Sequence, residues 1–372
     1  MGIKRRNFLT RMGLGLGAMV TASFESATHN IKKKMDTLSP IISINPMGFQ
    51  WDTIDPFLFC VHHEDHFPKG NDQMGPAESL EGRSLGDDFI IKNGYRMYHG
   101  KQVPGFPGHP HRGFETVTIV RKGLVDHADS MGAAGRYGNG DVQWMTAGSG
   151  VQHSEMFPLL KEDQDNPLEL FQIWLNLPAK GKMSQPHFTM FWSENIPKLK
   201  LENPKNKELL VEIIAGKFNN KNSLNPPPNS WAFDDKNEVA IWNIIMEEGA
   251  SISLPKASKG VNRMLYFYEG ENIKISGTEV GSYQSVRLQS DIDTELVASA
   301  GQCKCLVLQG KPIGEPVIQY GPFVMNTKQE IQQAKQEREQ LAAQTANAQN
   351  AAALAGALKD TAAAQAQGLG QV

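Results

Sequence analysis

The sequence predicts an all-β protein in two unequal halves, closed by a C-terminal helix. Three observations predict it. Gly 35 and Pro 21 make a turn-rich composition that suits many short strands better than a helical bundle. The apolar residues fall in short alternating runs of the kind that barrels and sandwiches bury. No stretch of about 15 residues or more before residue 327 holds a helical period. With 372 residues the chain is long enough for two domains, each with its own core. Lys+Arg 37 against Asp+Glu 40 leaves a net charge of -3, with no basic excess to hold a nucleic-acid backbone. Cys 3 is too few for a disulfide framework or a cysteine-rich zinc site.

Taken in chain order, residues 1 to 27 read as an export signal. Lys4-Arg5-Arg6-Asn7-Phe8-Leu9-Thr10 resembles a twin-arginine signal, and Met12 to Val20 forms a mild apolar stretch behind it. That stretch is too short to span a bilayer, so no membrane span is expected. The signal implies handling by the twin-arginine translocation machinery and a periplasmic location; a disordered basic N-terminus on a cytoplasmic protein is the alternative. Cys60, Cys303 and Cys305 read as small buried hydrophobes, since Cys303 and Cys305 are poorly placed to bridge each other.

The first barrel is expected over 45–195. Thr116-Val117-Thr118-Ile119-Val120 is a β-branched run closed by Lys122-Gly123. Asp141 to Met145 follows the turn Gly138-Asn139-Gly140, and Leu170 to Leu177 alternates before stopping at Pro178. The Lys- and Asn-rich stretch Pro197 to Lys207 reads as a linker. The second barrel, over 208–325, carries Leu209 to Ala215, Glu238 to Met246, Leu265 to Tyr268 and Cys305 to Leu308, punctuated by Asn225-Pro226-Pro227-Pro228-Asn229 and Gly310-Lys311-Pro312. Over 327–372 the charged, Gln-rich run Gln329 to Leu341 predicts a helix, followed by a low-complexity tail of 13 Ala and 5 Gln among residues 341–372.

Histidine separates the halves. All His 10 lie before residue 188, so metal or imidazole chemistry belongs to the first barrel. His109-Pro110-His111-Arg112-Gly113-Phe114-Glu115 and His153-Ser154-Glu155 carry the signal. In a strand, residues i and i+2 share a face, so His109 with His111, and His153 with Glu155, can both look into a barrel. Three imidazoles and a carboxylate suit a borderline divalent metal (Fe, Mn, Ni, Co, Cu or Zn), with positions open for substrate and dioxygen. The same parity places Glu115 on the face of His111, so spacing alone does not exclude it. His62-His63-Glu64-Asp65-His66 reads as a polar loop, Asp126 to Asp129 as a turn edge near the barrel mouth, and Trp144 and Phe114 as core. No P-loop, dinucleotide fingerprint or nucleophile elbow is present.

The His-x-His-x3-Glu spacing of His109, His111 and Glu115, followed by Gly123, resembles the first cupin motif. His-Pro-His-Arg-Gly-Phe-Glu-Thr, Gly-Asp-Val-Gln-Trp-Met-Thr-Ala-Gly from Gly140, His-Ser-Glu-Met from His153, Phe171 to Pro178 and Gly321 to Thr327 together resemble the pirin family, over residues 55 to 335. The resemblance implies a bicupin, two jelly-roll type β-barrels face to face with metal only in the first. It implies Fe2+ held by His109, His111, His153 and Glu155, with Glu115 beyond the metal. It implies a monomer acting on a small aromatic substrate and O2, a dioxygenase that opens the heterocycle of a flavonol such as quercetin, with Glu155 as proton acceptor. An exported metal-binding or redox-sensing module without catalysis is the alternative.

Overall fold

The computed structural model describes residues 39–202, 207–341, 343 and 344. The expected export signal and the Ala/Gln-rich tail beyond residue 344 lie outside the described residues. Among the described residues, no helix is long and apolar enough to cross a membrane.

Two β-barrels form, each from a large sheet and a four-stranded sheet. In the first, a six-stranded sheet runs in the order His187–Phe191, Val142–Thr146, Phe114–Lys122, Asn166–Asn176, Phe57–Phe67, Gln50–Trp51. Gly105–His111, Val151–Met156, Leu124–Asp129 and Ala134–Gly138 make the smaller sheet across from it. In the second barrel a seven-stranded sheet faces the smaller sheet Ser251–Leu254, Thr294–Ala300, Asn272–Ile275, Thr278–Gly281. The adjacent strands are antiparallel throughout.

The alternation in Phe114–Lys122 explains how the barrels meet. Thr116 and Thr118 turn into the first barrel, while Val117 and Ile119 turn outward, and all are buried. Outward-facing Val117, Ile119, Trp144 and Phe171 pack against Ile241, Tyr266 and Leu308 of the second barrel, so the two large sheets lie face to face. A strand between two cores can be apolar on both faces, which is why this run is β-branched rather than alternating with charge. The second barrel's interior is filled by apolar side chains, Trp242, Leu265, Phe267 and Val286 among others.

Three segments differ from expectation. Lys198–Glu202, inside the expected linker, is a strand paired with Glu208–Ala215. Its period-2 pattern supplies the reason: Leu199 and Leu201 pack on the second barrel's core. His62 to His66, expected as a loop, lies within the strand Phe57–Phe67, where His63 meets the Tyr98 hydroxyl, Asp65 accepts from that hydroxyl and from Arg96 N, and His62 Nε2 lies 3.5 Å from Glu169 without a hydrogen bond. Asp126 to Asp129 is the end of the strand Leu124–Asp129, with Asp129 accepting from Met131 N and Ala133 N to head the turn. A further strand, Ile41–Pro46, crosses to the second barrel and pairs with Gln284–Gln289. Cys60, Cys303 and Cys305 are free and buried, as read from their positions.

A helix begins at residue 328 and runs to residue 341 among the described residues. Thr327 Oγ1 accepts from Glu330 N at 3.2 Å while the Glu330 carboxylate accepts from Thr327 N at 2.7 Å, a reciprocal cap. Ile331 and Ala334 on one face pack against Phe323 and Met325.

Candidate metal centre

Gly105–His111 and Val151–Met156 are neighbours in the small sheet, with His109 opposite His153. A register shift between Phe106 and His109 leaves Phe106 opposite Glu155. The i, i+2 spacing then does what strand geometry requires. His109, His111 and His153 turn to one face, and one ring nitrogen from each lies within 4.8 Å of the others. Ring centroids are 4.4 Å apart for His109 and His153, and 4.8 Å for each of the other two pairs.

The electrostatics favour uncharged rings. Burial, reinforced by the neighbouring imidazoles, holds His111 and His153 well below the ordinary imidazole range, and burial lowers His109 as well. Both ring nitrogens of His111 and of His153 are buried without a hydrogen-bond partner. His109 Nδ1 lies 2.9 Å from the Pro107 carbonyl, which fixes its proton there and leaves Nε2 bare. Buried polar atoms are normally paired, and orphaned donors and acceptors cost about 1–3 kcal/mol each. Three neutral imidazoles crowded around one point, with lone pairs unanswered, fit a divalent metal: nitrogen donors, the right number, and a fixed tautomer on His109.

Glu155 stands beside this group. One carboxylate oxygen is 3.9 Å from His153 Nε2. The other is 3.1 Å from Thr118 Oγ1, and Gln172 Nε2 donates to the carboxylate at 3.1 Å. Burial pushes Glu155 up to about 7, against the pull of the Thr118 and Gln172 hydrogen bonds. Thr118 and Gln172 face each other in register, so both belong to one row of the large sheet under the carboxylate. Their role was hidden in the sequence because it depends on that register.

Glu115 corrects an expectation. Strand parity from His111 places Glu115 on that residue's face, but Gly113, at φ +83, turns the chain between the two strands and breaks the parity. Glu115 leaves the first barrel and points between the barrels, where Thr146 Oγ1 donates to it at 2.7 Å and Ser230 Oγ at 2.5 Å. Burial pushes it up to about 7. Among the described residues the converging group holds the three histidines alone, so neither Glu115 nor Glu155 is in it, and Glu155 stands next to it at 3.9 Å from His153 Nε2.

His127 is the residue that spacing missed. Its ring centroid is 5.3 Å from that of His153, its Nε2 meets Asp129 Oδ2 at 2.9 Å, and its Nδ1 is buried without a partner. Partly exposed aromatic rings surround the group: Trp174 lies 5.5 Å from His111, Phe188 5.1 Å from His127 and Phe106 6.3 Å from His109. Trp144 and Phe114 are buried core, as expected. The His62–His66 run divides its side chains. His62 stacks on Phe171 between the barrels, and His63 Nδ1 meets the Tyr98 hydroxyl at 2.8 Å. Among the described residues it forms no second metal-ligating group.

The chain resembles known proteins over both barrels. Residues 46–175 match the family model described as Pirin, and residues 241–342 match the Pirin C-terminal cupin domain. Pirin of Homo sapiens is 33% identical over 261 residues, covering 67% of this chain and 80% of that one. A pirin-like protein of Caulobacter vibrioides is 36% identical over 230 residues, covering 62% and 77%. A crystal structure of quercetin 2,3-dioxygenase from Acinetobacter baumannii superimposes with a TM-score of 0.64 at 26% identity, covering 82% of this chain and 98% of that one.

Proposed function

Because the chain belongs to the pirin family, we propose that it is a metal-dependent dioxygenase opening the heterocycle of a flavonol such as quercetin. One observation carries the reading: three neutral imidazoles with unpaired nitrogens converge beside a buried carboxylate within a ring of aromatic side chains. The name of the Acinetobacter baumannii relative supports the substrate class. His109, His111 and His153 would hold the ion, with Glu155 as fourth donor. Fe2+ is the proposed metal, and Mn, Ni, Co, Cu or Zn suit the same donors.

A divalent ion at this position supplies Lewis acidity, which lowers the pKa of an enol hydroxyl set against it. The chain's own residues do the rest. Trp174, Phe106 and Phe188 take a flat ring by its faces and exclude water from it. Glu155 accepts the hydroxyl proton at a carboxylate oxygen, and Thr118 and Gln172 keep that carboxylate from swinging away. Glu155→Gln is expected to lower kcat by roughly 10²–10⁴-fold with the fold retained. A variant that keeps its metal and full turnover removes the base assignment.

The reading is tested by metal analysis of the purified protein together with quercetin-dependent oxygen uptake. Near-stoichiometric metal, with uptake abolished in a His109→Ala/His153→Ala double variant, is the expected result. Bound metal without uptake on any flavonol would refute catalysis and favour a metal-binding or redox-sensing module. Export through the twin-arginine machinery, supported by Lys4-Arg5-Arg6-Asn7-Phe8-Leu9-Thr10, would place the activity in the periplasm. An Arg5→Lys/Arg6→Lys chain found in the periplasm at the wild-type level would count against that route.

A further inference from the structure

We propose that the C-terminal arm, residues 318–341, braces the turn that carries His111, and that Lys182 is the positioning residue joining arm docking to metal affinity. The inference rests on the metal reading above and concerns a different part of the chain. The residue after His111 is stitched to the arm by its backbone: Arg112 N donates to Pro322 O at 3.1 Å, and Val324 N donates to Arg112 O at 3.0 Å. The next residue is Gly113, where a Cβ would lie 2.0 Å from Val324 O and 2.9 Å from Met325 Sδ. The arm therefore presses on the turn too closely for any side chain.

Lys182 closes the same contact from below. Its buried ammonium donates to Gly113 O at 2.9 Å, Asn176 Oδ1 at 2.8 Å and Val324 O at 3.1 Å. All three N–H groups are used, and no carboxylate lies within ion-pair distance of it among the described residues. A buried cation held by neutral acceptors is a costly way to join three segments. Here those segments are the turn after His111, the end of the strand bearing Gln172 and Trp174, and the arm. On the outer side, Arg112 Nη2 pairs with Glu337 Oε2 of the helix at 2.6 Å. The turn is also tied toward the other histidine strand, with Gly113 N donating to Gly148 O at 2.8 Å.

The direction of the His111 side chain depends on the backbone of residues 111–113, and that backbone is fixed by a segment some two hundred residues away in sequence. Outer partners that orient a ligand typically change metal affinity by about 10–100-fold when removed. Linkage then requires the reverse effect: metal at the histidines must hold the arm down.

Both directions are measurable on the full chain with Co2+ alone as the probe. Lys182→Met is expected to weaken Co2+ binding by about 10-fold or more and to alter its ligand-field absorption. In the wild-type chain, Co2+ is expected to slow trypsin cleavage at Lys328, Lys335 and Arg338 and to leave cleavage at Lys259 unchanged. Glu337→Gln, which breaks only the outer pair, should loosen the arm and weaken Co2+ binding by a smaller factor. A folded Lys182→Met chain with wild-type affinity and spectrum overturns the inference while the metal reading stands. Should Lys182→Met not fold, wild-type affinity in Glu337→Gln together with no Co2+ protection of the arm overturns it as well. A wild-type chain that takes no Co2+, Fe2+ or Ni2+ sinks the metal reading and this one together.

Discussion

Replacing Glu115 by Gln separates a buried strut between the barrels from a metal ligand. The Glu115 carboxyl is fully buried, and burial raises it from 4.5 to about 7 against the hydrogen bonds of Ser230 and Thr146. In the unfolded chain it titrates near its ordinary value, so between the two values the unfolded state loses a proton that the folded state keeps. Stability from this group is therefore complete below about pH 4.5, falls as pH rises, and is lost above about pH 7. A gap of that size, at about 1.4 kcal/mol per pH unit, amounts to about 3.5 kcal/mol of stability forgone at pH 8. Glutamine keeps an acceptor for Thr146 and offers donors to Ser230 without the charge. Thermal unfolding of Glu115→Gln beside the wild type should show a Tm gain of roughly 5 °C at pH 8 that shrinks toward zero at pH 4. Metal content should not change. A pH-independent Tm difference would refute the burial argument, and a loss of bound metal would show that Glu115 reaches the ion.

Other perturbations follow from the same contacts. Gly113→Ala forces a Cβ onto the Val324 carbonyl at a backbone angle of φ +83, so a loss of more than about 2 kcal/mol in denaturant unfolding is expected, and a neutral result would mean the arm is not seated there. Arg121→Met removes the closer of two cations from Glu212, leaving Asn243 Nδ2 at 2.8 Å and Lys198 Nζ at 3.9 Å; a loss of about 1.5–3 kcal/mol is expected by chemical denaturation, and no measurable loss would show that Lys198 and water compensate the charge. Stripping the metal with a chelator should lower Tm, because an ion present at 100 times its Kd adds about 2.7 kcal/mol to the folded state; His111→Ala should be indifferent to the same treatment.

The parts of this protein legible in its sequence are those set by short periods. The β-branched run in Phe114–Lys122 and the alternation in Asn166–Asn176 mark buried strands, and i, i+2 spacing puts His109 with His111 on one face, where they converge with His153, and Glu155 beside His153 at 3.9 Å. Errors begin where parity must be carried across a turn. Gly113 resets the count, so Glu115 lands on the opposite face from the one spacing assigns. Lys198 to Glu202 looked like a solvated linker because its lysines dominate its composition, although Leu199 and Leu201 already alternated. The His62–His66 run looked like a loop because its partners, Tyr98 and Glu169, are distant in sequence. Lys182 and the arm lay beyond reach for the same reason: no local pattern announces that three carbonyl-type acceptors from separate segments will surround one ammonium.

The strand Ile41–Pro46 has a consequence for how the chain is made. Its partner is Gln284–Gln289, and the Ser285 hydroxyl donates to the Asn45 carbonyl across a separation of 240 residues. At a synthesis rate of about 5–20 residues per second, this strand, the earliest among the described residues, waits roughly 10–50 s for its edge to exist. During that interval both faces of the isoleucine pair Ile41 and Ile42 are open to any other strand edge nearby. The first barrel can close meanwhile, but the second cannot be sealed until nearly the whole chain has appeared. A message cut short before residue 284 would therefore yield a histidine barrel without the arm that braces its His111 turn, and an exposed, sticky leading strand, a product for which quality control by proteases and chaperones has an obvious handle.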